Sequence, residues 1–125
     1  MSERSPHVLV EELLEAITYC ETFTQGMSFE AFIENALVSS AVLRQIEIIG
    51  EVARVFPENY KSLAPDIPWE KVRGLRNRVI HEYFSVSLST IWTILQRDFP
   101  QFKQQVIGLQ QALINTSQNK NPPLG

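Results

Sequence analysis

The stretch from Leu37 to Phe56 is the strongest constraint in this chain. Wound as an α-helix it is apolar on nearly every face, through Leu37, Val38, Ala41, Val42, Leu43, Ile46, Ile48, Ile49, Val52, Ala53 and Phe56. Its charged residues Arg44, Glu47, Glu51 and Arg54 recur at spacings of 3, 4 and 3, which confines them to one narrow stripe. A helix of this kind belongs at a centre, with other elements on its remaining faces. Either it is the core helix of a monomer, or part of its surface is covered by a second subunit, and the sequence leaves both open.

The flanking segments supply helices to surround it. Ser5-Pro6 reads as an N-cap followed by proline at the first helical position, and Leu9, Leu13, Ala16, Ile17 and Cys20 follow at helical spacing until Gly26 ends the element. Ser28 is placed to cap a short second helix over about 29–36, with Met27 and Phe32 as a hydrophobic staple. Pro57, Pro65 and Pro68 break the chain after the central helix, and Pro68 suits the first turn of a fourth. Ser87 is placed to cap a fifth, with Val86 and Ile91 at staple positions and Leu88, Ile91, Trp92 and Leu95 as its stripe. Pro100 is expected to kink or divide that helix before Phe102, Val106, Ile107, Leu109 and Leu113 continue it. From Asn115 the polar, proline-bearing tail predicts disorder. No segment alternating with period 2 is long enough for a strand, so the fold class is all-α, a bundle of about five helices over residues 1–114 with a flexible tail at 115–125.

With 125 residues, 44% of them apolar, the chain is one domain with a core of its own. A single cysteine, Cys20, forms no internal disulfide, and neither a secretory signal nor a run of roughly 20 apolar residues is present. The expected product is a soluble, cytoplasmic protein without a membrane span. A net charge of −3 argues at first against nucleic acid as a partner. The average conceals a reversal, because residues 71–80 hold Lys71, Arg73, Arg76 and Arg78 and no acid. Seven basic and 14 acidic residues lie elsewhere, so a segment of +4 is set against a remainder of −7.

Several chemistries are excluded by what is missing. Neither His7 nor His81 has a glutamate three positions before it, as a di-metal carboxylate bundle requires, and one cysteine with two distant histidines makes no zinc site. Glycine-rich phosphate loops and nucleophile elbows are also absent. His7 reads as a surface residue at a helix start. What remains is Arg76-Asn77-Arg78-Val79-Ile80-His81-Glu82-Tyr83, which joins a fixed positive charge, a proton carrier and a phenol. Asn77 and His81 are four apart and share a helical face, whereas Arg76 and His81 fall about 140° apart on an ideal helix. For both to act on one phosphate, the helix ends near His81, the arginine reaches around, or two subunits share the site. The plain alternative is a histidine favoured by a helix C-terminus beside a packed tyrosine.

The string Arg76-x4-His81-x-Tyr83, with polar Asn77 after the arginine, resembles the signature of HEPN-domain proteins and specifically of the HepT-like toxins. The likeness extends to Phe29-Glu30-Ala31-Phe32, to Val42-Leu43-Arg44-Gln45-Ile46-Glu47-Ile48-Ile49-Gly50-Glu51 and to Ile67-Pro68-Trp69-Glu70-Lys71-Val72. Gly74-Leu75-Arg76-Asn77 and Ile80-His81-Glu82-Tyr83-Phe84 match as well, so the resemblance covers roughly residues 8 to 113.

The resemblance implies a helical homodimer whose two motifs meet at the interface, and a metal-independent endoribonuclease without a cofactor of its own. It implies Arg76 and His81 as the catalytic pair, with Asn77 either orienting the imidazole, binding substrate or standing as a surface residue. RNA carries its own nucleophile in the 2′-hydroxyl, so a base, an acid and a positive charge suffice. Lys71, Arg73 and Arg78 then widen the landing zone for RNA. Tyr83 resembles the acceptor to which an MntA-like nucleotidyltransferase antitoxin transfers AMP from ATP, silencing a toxin of a type VII-like toxin–antitoxin system. Glu82 is left without an assigned role. The alternative is a non-catalytic nucleotide- or partner-binding companion of a nucleotidyltransferase.

Overall fold

A computed structural model describes residues 4–81 and 87–119 of the chain, with the backbone alone at 78–81, 118 and 119. Every regular element among them is helical: α1 (Pro6–Thr24), α2 (Phe29–Glu34), α3 (Ala36–Val55), α4 (Glu58–Lys61), α5 (Trp69–His81), α6 (Leu88–Thr93) and α7 (Phe99–Asn119), with the π-wound stretch Ile94–Asp98 joining the last two. The expectations resting on Glu82, Tyr83 and Val86, and on the tail beyond Asn119, lie outside the described residues.

Local signals start and stop these helices. The Ser5 hydroxyl accepts from the Val8 N–H and the Ser28 hydroxyl from the Ala31 N–H, each satisfying a donor that the first helical turn leaves without a partner. Gly26 takes a left-handed φ of 75° after α1, the conformation that a side chain disfavours. Asn35 both ends α2 and caps α3, its Oδ1 accepting from the Val38 N–H at 3.0 Å, so the two helices are separated by one residue. Pro68 stands immediately before α5 rather than inside its first turn, and its carbonyl accepts from the Val72 N–H. The single turn α4 lies in the proline-broken link, where the sequence offers no periodic signal.

α3 is the centre, packed against α5 on one side and α1 on another, while α7 lies along α1 and α2 bridges α3 and α6. Ile46, Ile49 and Val42 of α3 meet Val10, Leu13 and Ile17 of α1 and Val106, Leu109 and Leu113 of α7 in one buried cluster. Each such side chain taken fully from water contributes about 1.5–3 kcal/mol. Trp92 of α6 is wedged against Phe32 and Phe29 of α2, with ring centroids 5.2 and 6.3 Å apart. Trp69 stacks on Phe56 at 4.8 Å and donates its indole N–H to the Ala64 carbonyl, which pins the start of α5 to the end of α3.

Three features refine the expectations drawn from sequence. The exposed part of α3 is broader than its charged stripe, because Leu37 is 81% exposed, Val55 is exposed and Ile48 is only half-buried in a single chain. Of the two outcomes expected at Pro100, a kink or a division, the division does not occur. Residues 88–119 run as continuous helix, and the Phe99 N–H bonds the Ile94 carbonyl five residues back. That wider winding lies directly upstream of the proline, whose ring would otherwise press on the carbonyl four residues before it. Ile91, Leu95 and Phe99 are buried with two successive spacings of four, which would drift by about 80° at ordinary helical pitch. The helix also carries residues 115–119, which the sequence assigned to the tail, with Ser117 Oγ 3.0 Å from Nε2 of His7.

Candidate functional site

The motif is set in place by a close crossing of α3 and α5. At Gly50 the two backbones approach so nearly that a Cβ there would lie 2.5 Å from Arg76 Cβ, 2.8 Å from its N and 3.0 Å from its Cα. Only glycine permits this approach. The crossing seats the backbone of Arg76, the first residue of the motif, directly on α3.

Next to that glycine stands Glu51, and Arg76 Nε lies 2.8 Å from its Oε2. The same carboxylate oxygen accepts from Arg54 Nε at 3.1 Å, while Oε1 takes the Nη2 of Arg54. The hydrogen bond from Arg54, followed by the charges of Arg54, Arg76 and Arg4, holds the Glu51 carboxyl below the usual carboxylate range against an opposing effect of burial. Arg4 reaches this neighbourhood from the start of α1, where its Nε pairs with Glu12 Oε2 at 2.9 Å. A single glutamate thus orders arginines from two helices at the side of the bundle where α5 carries the motif.

α5 runs unbroken from Arg76 through Asn77 to His81, its last described residue, a rise of about 7.5 Å along the axis. Asn77 is exposed, and Arg76 is half-buried with 34% of its side chain accessible. The side chains of Arg78 and His81, and Tyr83 as a whole, lie outside the described residues. Arg73 is exposed one turn before Arg76, in loose contact with Glu70 at 4.0 Å. Lys71 is on another side of α5, about 140° around the axis from Arg76, where it borders a groove of about 710 Å³ between α5 and the π-wound stretch. Ile49, Val72, Leu75, Ile94 and Phe102 line that groove. The basic segment is therefore distributed around α5, and Arg73 is the described member adjoining Arg76.

Glu51 and Gly50 are the members of this site that sequence reasoning did not assign to it. A glycine inside an otherwise strongly helical pattern weakens a helix by about 1 kcal/mol relative to alanine, and its presence in the middle of α3 is the signal of a close approach.

Three relatives carry ribonuclease names. A protein of Methanocaldococcus jannaschii named as a candidate RNase is 34% identical over 106 residues, covering 85% of this chain and 97% of the relative. A candidate HepT ribonuclease of Thermococcus cleftensis is 37% identical over 101 residues, 81% of this chain and 92% of the relative. A further candidate RNase, from Caldanaerobacter subterraneus subsp. tengcongensis, is 30% identical over 103 residues, 82% of this chain and 92% of the relative. No solved structure matches the chain. The family profile described as Ribonuclease HepT-like matches residues 13–108, a span that runs from the middle of α1 through the α3–α5 crossing and the whole motif into α7, and by this match the chain belongs to the HepT-like ribonuclease family.

Proposed function

We propose that this protein is an endoribonuclease toxin that cleaves RNA without a metal ion, through Arg76 and His81. The observation that carries the reading is the seat of Arg76, ion-paired to Glu51 at the α3–α5 crossing and placed one helical segment before His81 in a chain of this family. The RNA 2′-oxygen attacks the adjacent phosphorus as its proton passes to a base, and the bond from phosphorus to the 5′-oxygen breaks as an acid protonates that oxygen. His81 serves as base, the His81 of a second copy serves as acid, and the Arg76 guanidinium balances the charge that builds on the phosphoryl oxygens. Asn77 orients the imidazole or the substrate. Arg73, which adjoins Arg76, attracts the strand, and Lys71 and Arg78 add positive charge around α5 at longer range.

A homodimer completes the two-histidine site. The exposed Leu37 and Val55 and the half-buried Ile48 on α3 support it, since apolar side chains left wholly or partly to solvent on a central helix are what a second subunit buries. Tyr83 is the control point: a nucleotidyltransferase antitoxin transfers AMP from ATP to its phenolic oxygen, releasing pyrophosphate, and the added phosphate occupies the arginine while the adenylate blocks the strand.

Cleavage of a labelled RNA in excess chelator tests the reading. Wild type cleaves, and His81→Ala and Arg76→Ala each lose at least about a hundredfold, the scale of a lost acid–base group for the first and of a lost charge-stabilising donor for the second. After incubation with the antitoxin and ATP the intact mass rises by AMP and cleavage stops, while Tyr83→Phe gains no mass and stays active. Wild type that leaves RNA uncut after any adenylate is removed refutes the nuclease reading and favours the non-catalytic partner of a nucleotidyltransferase. Unchanged mass with a competent antitoxin refutes the modification.

A further inference from the structure

The least expected feature of the site is that two guanidinium groups from different helices share one carboxylate oxygen. Arg76 Nε at 2.8 Å and Arg54 Nε at 3.1 Å both meet Glu51 Oε2, so the two Nε atoms lie no more than about 6 Å apart. A phosphate that accepts N–H bonds of about 2.7–2.9 Å on opposite sides spans donors at this separation. Glu51 takes two of the five N–H donors of Arg54, through Nε and Nη2, and 48% of the Arg54 side chain is accessible to solvent. One carboxylate between two guanidinium groups leaves a net positive charge. The ion pairs themselves are solvent-exposed in part and screened, so an incoming phosphate re-forms their geometry at little cost.

We propose that Arg54 is a second phosphate-binding residue of the RNA site, held beside Arg76 by the shared Glu51 carboxylate. The proposal rests on the nuclease reading above and extends it: the site is built on α3 as well as α5, and the RNA backbone is gripped by a pair of arginines across the crossing. Arg54 belongs to the exposed stripe of α3, and its role comes from the neighbour that the fold gives it rather than from the basic segment of α5. Arg97, also exposed and paired through its Nε with Asp98 at 3.0 Å, borders the groove on the other side of α5 and supplies the comparison.

The test is binding of the full-length protein to a fluorescent single-stranded RNA made uncleavable by 2′-O-methylation, followed by anisotropy between 50 and 200 mM salt. Arg54→Ala is expected to weaken binding about tenfold at low salt and to flatten the plot of log K against log salt by about 0.7, the loss of one phosphate contact on a single strand. Arg54→Lys keeps the charge without the fork, so it retains the wild-type slope at intermediate affinity. Arg97→Ala matches wild type. Thermal melting of each variant separates lost binding from lost folding, and Arg54→Lys decides the matter if the alanine variant melts early. Wild-type affinity and slope in Arg54→Ala overturn the proposal while leaving the nuclease reading in place, as does an equal loss in Arg97→Ala. A wild-type protein that binds no RNA overturns both.

Discussion

Replacing Gly50 by alanine separates the stability of the bundle from the placement of its arginine. The new methyl would meet Arg76 Cβ at 2.5 Å, its N at 2.8 Å and its Cα at 3.0 Å, whereas ordinary contacts of a Cβ begin near 3.4 Å. Two of the three obstructing atoms are backbone, so no rotamer change relieves them, and α5 must retreat from α3 by about 0.5–1 Å. Overpacking of this sort costs about 1–3 kcal/mol, and the better helix propensity of alanine in α3 returns about 1. A net loss of about 1 kcal/mol, divided by an unfolding entropy of about 0.26 kcal/mol/K for a chain of this length, lowers Tm by about 4 °C. With Arg76 in its proposed role the effect on catalysis is disproportionate, since misplacing a catalytic group by 1 Å can reduce rate about a hundredfold. Thermal melting and single-turnover cleavage are measured side by side. Gly108→Ala, at an exposed α7 position where a Cβ meets nothing within 4 Å, is the control and is expected to melt slightly higher with unchanged cleavage. Gly50→Ala cleaving within twofold of wild type would refute the argument that the crossing positions Arg76.

Two further expectations concern titratable groups. Because its folded pKa is lowered, Glu51 contributes stability that is fully present above its unfolded value of about 4.3 and is lost as pH falls through the lower folded value. Glu51→Gln should therefore melt below wild type at pH 7, with the gap closing as pH falls through the lowered folded value; a gap equal at both ends of the pH range would show that charge on Glu51 is irrelevant. Burial in the α1 core, with a smaller effect of neighbouring Glu21, pushes the Cys20 thiol up to about 12, so it should resist iodoacetamide at about pH 8 in the native protein and react on denaturation. Rapid native-state labelling, followed by mass spectrometry, would contradict that burial.

The parts of the fold that could be read from sequence are those governed by neighbours in the chain. Ser5 and Ser28 cap the helices they precede because a cap is a three-residue event, and the apolar spacing of α1 marks its buried face directly. The turn α4 escaped, since nothing periodic marks four residues and its surroundings are organised by Trp69 reaching back to Phe56 and Ala64. The site divides the same way. Arg76 and Asn77 were legible as a motif on one helix, but Glu51 is 25 positions away from Arg76 and reads alone as one more charge on a solvent stripe beside Arg54. Its partner is specified by the crossing at Gly50, a tertiary fact to which only the glycine itself bears witness.

The π-wound stretch Ile94–Asp98 gives one helix two addresses. Upstream of it α6 presents Trp92 to α2, and downstream α7 presents Val106, Leu109 and Leu113 to the core beside α1. The wide turn sets the rotation between these faces, and each residue in a helix is worth about 100°. Gln96 and Arg97 are exposed, so their identity is nearly free, whereas their number is not. Losing one residue here would swing the whole apolar edge of α7 away from the core without altering a single one of its side chains. The length of the segment, rather than its composition, is the information it carries.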